Sequence, residues 1–160
     1  MEAIERSSYM SLENLKSFLQ KNNANFELIT HKQPIYSLQE GVKYFGIDLA
    51  QAAPIIIIKI EKFFFAVIVS GERGRINLKF IANLLGYKKG RLATKDEVKK
   101  ITGFYPGSIP LIGHSLPCIL DQRLFRYSFV YGGSGDLSCT LKINPKDLER
   151  LNKIVAKMGE

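Results

Sequence analysis

The strongest apolar signal in the chain runs from Pro54 to Gly71, PIIIIKIEKFFFAVIVSG, two runs parted by Lys59-Ile60-Glu61-Lys62. Isoleucine, valine and phenylalanine at this density favour a pleated backbone, and each run has strand length. The pattern predicts a hairpin. Neither run alternates with polar residues, so both faces of the pair are expected under cover at the centre of a sheet.

On either side the periodicity changes. Leu12, Leu15, Phe18 and Leu19 recur at helical spacing within 11–22, and Phe26 to Thr30 alternates like a half-buried strand. After the loop His31-Lys32-Gln33-Pro34, the sequence Ser37-Leu38-Gln39-Glu40 has the form of a capping box opening a short helix that Gly46 ends. Asn77 caps a helix that turns Leu78, Ile81, Ala82 and Leu85 inward and stops at Gly86. A basic edge segment, Lys88 to Ala93, leads into a second capping box, Thr94 to Glu97, and a helix finishing in Lys99 and Lys100. Three more strands are predicted over 116–120, 126–131 and 137–143, with Gly132 to Gly135 as the tight connection between the last two. Asn144 and Pro145 begin a final helix with Leu148, Leu151, Ile154, Val155 and Met158 on its apolar face and Gly159 at its end. The reading is one α/β (α+β) domain over 1–160 around a twisted mixed sheet, with 1–10 a loosely ordered extension.

Composition narrows this picture. A chain of 160 residues can bury a sizeable single core without disulfides. Cys118 and Cys139 sit in apolar strand-like runs with no metal-ligand spacing, and are expected as buried thiols in a reducing compartment. The first ten residues carry two acids and no apolar stretch, unlike a secretory signal, and no run reaches the roughly 20 apolar residues that span a bilayer. A cytoplasmic location and no membrane partner follow as expectations. The net charge of +8 favours an anionic partner, nucleic acid first, although a lysine-rich solvated surface has the same composition.

Familiar catalytic patterns find little support. The two histidines, His31 and His114, belong to no metal-binding or triad motif. Gly132-Gly133-Ser134-Gly135 lacks the Lys-Ser/Thr and following helix of a phosphate loop, so a hairpin turn explains it better. The segment Gly103 to Pro110 is different. Four of its eight residues are Gly or Pro, which fixes a backbone whose exposed amides can hold a carbonyl or carboxylate.

The string Thr102-Gly-Phe-Tyr-Pro-Gly-Ser-Ile-Pro-Leu-Ile-Gly113 resembles the signature loop of the YbaK-like aminoacyl-tRNA deacylases, the family that includes the editing domain of bacterial prolyl-tRNA synthetases. His31-Lys32-Gln33-Pro34-Ile35-Tyr36-Ser37 is similar to that family's early His-x-x-Pro stretch, with Ser in place of the usual Thr. Ile119-Leu120-Asp121, Val130 to Ser134 and Pro145 to Leu148 match its Asp-ended strand, glycine turn and last helix, so the likeness spans roughly 11–158. The resemblance implies a mixed α/β domain or partial barrel that hydrolyses the ester of a mischarged aminoacyl-tRNA in trans. It also implies no metal, cofactor or covalent intermediate. The partners it implies are the aminoacylated acceptor end of tRNA and an aminoacyl-tRNA synthetase. Carried over position by position, it puts His31, Pro54, Gly103, Gly107, Ser108, Ile109, Pro110, Asp121, Gly133 and Ser134 around the substrate.

One position breaks the pattern. Where the family carries a lysine at the start of the first central strand this chain has Pro54, and the neighbouring Thr and a later loop proline are Ile55 and Leu111. Lys59 lies an odd number of residues away on a period-2 strand, and Lys62 falls at the far end of the hairpin. No catalytic side chain is therefore assigned. Three readings stand: a divergent deacylase, a tRNA-binding module without the chemistry, and an apolar small-ligand binder.

Overall fold

The computed structural model describes residues 11–159, so the expected extension over 1–10 lies outside the described residues. Helix α1 (Leu12–Lys21) leads to strand β1 (Phe26–Thr30) and helix α2 (Leu38–Phe45). Then come β2 (Ala52–Ala53), β3 (Ile55–Ile60), β4 (Phe63–Ile68), α3 (Leu78–Leu84), β5 (Arg91–Leu92) and α4 (Lys95–Thr102). The chain closes with β6 (Cys118–Asp121), β7 (Val130–Gly133), β8 (Cys139–Ile143), α5 (Pro145–Leu151) and β9 (Ile154–Met158).

The strands form two mixed sheets rather than one, in the orders β1-β8-β7-β2 and β5-β3-β4-β6-β9, and no barrel closes. The isoleucine and phenylalanine runs pair as the expected hairpin, with Ile60 opposite Phe63 and only Glu61 and Lys62 in the turn. Successive isoleucines point to opposite faces. Ile58 and Ile60 pack with α3 through Ile81 and Ala82, whereas Ile57 packs with Val98 of α4, Phe104 and Ile109. Helices and loops thus cover both faces, and each fully buried isoleucine contributes about 2 kcal/mol. A third cluster, with Leu15, Leu19, Ile68, Leu120, Leu141 and Leu148, joins the two sheets beneath α1 and α5.

Local signals hold at most helix ends. The Ser11, Ser37, Asn77, Thr94 and Asn144 side chains accept from amides of their first turns. Thr94 and Glu97 complete a reciprocal capping box. Glu40 instead accepts from the Tyr36 amide, one residue outside the reciprocal pattern expected at Ser37.

The largest departure is at the C-terminus, where the expected helix through Met158 stops at Leu151. Residues Ile154–Met158 are a strand running parallel to β6. Their apolar positions 154, 156 and 158 fit a two-residue period as well as a helical one, and β-branched Ile154 and Val155 prefer the strand. Pairing with β6 also satisfies backbone groups that a helix would leave bare at that edge. The Asn152 amide donates to the Leu148 and Leu111 carbonyls, tying the break to the core. Two smaller shifts accompany it: the strand expected over 126–131 begins only at Val130, after a tight helical turn at Gln122–Arg126, and Gly132 and Gly133 lie within β7, leaving Ser134 to Ser138 as the connection.

His114 is buried, its Nδ1 accepting from the Leu116 amide. Burial, only partly offset by the nearby Asn152, pulls its pKa from 6.5 down to about 4. The unfolded chain therefore takes up the proton first as pH falls. Stability from this residue is complete above about 6.5 and is lost as pH falls toward about 4. Urea unfolding at pH 7 and pH 4.5 is expected to show His114→Gln losing about 2 kcal/mol less than the wild type over that interval.

No helix among the described residues is long and apolar enough to cross a membrane. Nor do three or more His, Cys, Asp or Glu side chains among them gather where they could hold a metal ion.

Candidate functional site

A cavity of about 240 Å³ opens between the 35–38 segment, α2, the β2–β3 junction, the 106–109 loop and the end of β7. Its shape starts with glycine. A Cβ on Gly133 would stand 2.1 Å from the Ile109 carbonyl oxygen, and one on Gly132 would stand 2.8 Å from that of Ala53. The loop and β2 can approach β7 so closely only because both side chains are missing. The Leu111 amide donates to the Gly133 carbonyl at 3.0 Å, fixing the loop along β7.

The loop is also held from within. The Thr102 hydroxyl donates to the Val98 carbonyl and accepts from the Phe104 amide, and the Phe104 ring lies over Gly135. Tyr105-Pro106-Gly107-Ser108 is a turn in which both the amide and the hydroxyl of Ser108 donate to the Tyr105 carbonyl. Among the described residues, no group accepts from the amides of Gly107 and Ile109. A Cβ at Gly107 would meet open space.

Of the residues expected around the substrate, Pro54, Gly107, Ser108, Ile109 and Gly133 line this cavity together. His31 stands behind the wall: its Nδ1 bonds to the Gln33 carbonyl at 2.7 Å and its Nε2 to the hydroxyl of Thr140, which does line it. Four others do not line it. Gly103 is the left-handed C-cap of α4, φ 80°, and Pro110 is buried beside Gly133. The Ser134 hydroxyl donates to the Cys139 carbonyl at 2.6 Å and so braces the β7–β8 connection. Asp121 is fully buried, accepting from Arg73 and from the amides of Ser70 and Arg123 at the end of β6.

Other lining residues escaped the sequence reading. Leu38, Val42 and Phe45 of α2 line the cavity, as do Tyr36, Tyr131, Asp136 and Cys139. The sequence shows only that α2 has an apolar stripe; in the structure none of its residues is buried, and Leu38, Val42 and Phe45 face the hollow instead of the core. The Asp136 carboxylate accepts from the Ser138 amide and shapes the turn. Burial raises the Cys139 thiol, which stays protonated at neutral pH, and pushes Cys118 up to about 12. Both cysteines are free, and neither is poised as a nucleophile.

The wall is thus mostly apolar, and the Pro54 position contributes no side-chain cation to it. Residues 32–151 match the family model described as the aminoacyl-tRNA editing domain. The proline–tRNA ligase of Caldicellulosiruptor bescii is 32% identical over 116 residues, and that of Caldicellulosiruptor saccharolyticus 28%. These matches cover 69% of this chain and 20% of each ligase, so the chain spans about a fifth of the length of the curated relatives it matches. The crystal structure of hypothetical protein APE2540 superposes with a TM-score of 0.82 at 23% identity, covering 89% of this chain and 96% of that one, a likeness of fold. A candidate trans-editing enzyme for prolyl-tRNA synthetase superposes with a TM-score of 0.78 at 25% identity, covering 91% of this chain and 93% of that one. With three-quarters of its length matched by that family model, this chain belongs to the aminoacyl-tRNA editing domains.

Proposed function

We propose that this protein hydrolyses the ester of a mischarged aminoacyl-tRNA in trans, holding the amino acid in the cavity above Gly133. The observation that carries the proposal is the unpartnered pair of amides, Gly107 and Ile109, on a loop whose backbone is pinned at both ends. An acyl ester is already activated, so a water held against it and two fixed donors at the developing oxyanion supply much of the barrier reduction. Ser108 adds to the shape rather than the chemistry, since its hydroxyl and amide are both engaged within the turn. No metal or covalent intermediate enters this scheme. A synthetase that releases or hands over the charged tRNA is the natural second partner.

The size of the cavity supports the assignment. At about 240 Å³ it falls below the ~300 Å³ at which pockets for drug-sized ligands begin. That volume suits an amino-acid side chain. Single-turnover hydrolysis across a panel of mischarged tRNAs tests the proposal: at least one must be cleaved faster than it decays unaided, and equal rates on all would overturn it.

The alternative is a tRNA- or small-ligand-binding module without catalysis, favoured by Pro54, whose carbonyl accepts from the Val69 amide and whose ring brings no charge to the wall. Pro54→Lys separates the two. If the site is catalytic and short of one cation, the variant is expected to cleave about tenfold faster or more, since a single added donor at a developing charge has at least that effect. A folded variant with an unchanged rate would leave the ammonium without a role at this position.

A further inference from the structure

The cavity opens to solvent and its volume suits an amino-acid side chain, so an RNA that delivers such a side chain from its 3′ end lays its last bases toward the opening. Two tyrosines at or next in sequence to its lining are almost bare. Tyr36 lines the opening and is 68% exposed, and Tyr105, immediately before the lining Pro106, is 67% exposed. Each segment has other anchors. The 35–38 segment is fixed by the bond from the Ile35 amide to the Leu137 carbonyl and by the Ser37 cap. The 104–108 loop is fixed by buried Phe104 and by Ser108. Large aromatic faces left wet without a packing role suit stacking on unpaired bases, which any base sequence can supply.

Charge points the same way. The Lys99 ammonium sits 4.3 Å from the centre of the Tyr105 ring while also donating to the Gly103 carbonyl, which holds a cation beside that aromatic face. On the elements that line the cavity, the Glu40 carboxylate accepts from the Tyr36 amide and that of Asp136 from the Ser138 amide.

We propose that Tyr36 and Tyr105 stack on the unpaired nucleotides at the 3′ end of the tRNA, with Lys99 beside the intervening phosphate. This rests on the reading of the substrate as an aminoacylated RNA, but it can be tested without any hydrolysis. The chain has no tryptophan and seven tyrosines, so tyrosine fluorescence reports stacking directly. Titration with an uncharged RNA hairpin ending in the single-stranded tRNA 3′ sequence is expected to quench the wild type. Tyr36→Ala and Tyr105→Ala are each expected to weaken binding by about fivefold or more, while Tyr36→Phe and Tyr105→Phe keep it. The same hairpin with a blunt end is expected to bind more weakly than the tailed one. Alanine variants that remain folded by circular dichroism and bind as tightly as the wild type overturn the proposal, as does a wild type that does not distinguish the tailed from the blunt hairpin. Tyrosine-dependent binding with no ester cleaved on any substrate would sink the proposed hydrolysis and leave this platform standing.

Discussion

Gly133→Ala is expected to destabilise the protein by about 3 kcal/mol and to abolish the proposed ester cleavage even in the fraction that stays folded. Its new Cβ would meet the Ile109 carbonyl oxygen at 2.1 Å, and that atom is backbone, which cannot swing aside as a side chain can. The loop must lift off β7, breaking the bond from the Leu111 amide to the Gly133 carbonyl and moving the Gly107 and Ile109 amides together. Gly107→Ala supplies the control, because the same methyl group there meets nothing within 4 Å and the backbone is not left-handed. Its unfolding free energy should stay within about 0.5 kcal/mol of the wild type. Under the proposed hydrolysis its rate should fall most for the bulkiest amino acid, since the methyl enters the open space beside the loop. Urea unfolding and single-turnover rates on both variants check the pair; a Gly133→Ala protein with wild-type stability would mean the loop has another way to sit.

Arg73→Met is expected to cost about 4 kcal/mol, the range for stripping the partner from a buried charge. The Asp121 carboxylate has no exposure, and Arg73 meets it at 2.6 Å and 3.0 Å with two nitrogens. The guanidinium also reaches the Gly159 carbonyl, so it joins β6, the 70–73 turn and the end of β9. The double variant Arg73→Met with Asp121→Asn should recover part of the loss, because a neutral amide no longer demands a counter-ion. Urea midpoints of the two variants at one pH decide it. No recovery would mean that Arg73 acts through packing of its stem rather than its charge.

These two positions also mark where sequence reading and structure part. Asp121 ends a strand in a pattern that looks like a substrate contact, and nothing in its neighbours along the chain reveals that Arg73, 48 residues away, neutralises it. Ser134 and Gly103 are similar cases: their residue types suit a ligand site, and the fold uses one for a turn and the other for a helix cap. By contrast, Pro54, Gly107, Ser108, Ile109 and Gly133 were all legible and do meet around one cavity. The density of Gly and Pro made the 103–110 loop visible, and the family resemblance supplied Pro54 and Gly133.

The central hairpin, the helix caps and the loop were determined by the sequence itself, because β-branched runs, capping side chains and glycine act within a few residues of where they stand. The two-sheet arrangement, the strand at Ile154–Met158 and the apolar face of α2 left open to the cavity were decided only by tertiary structure. A stretch such as 154–158 fits two periods equally well, and the unpaired edge of β6 chose between them. A short amphipathic helix likewise states that it has an apolar side, and the surrounding fold determines whether that side meets a core or a hollow.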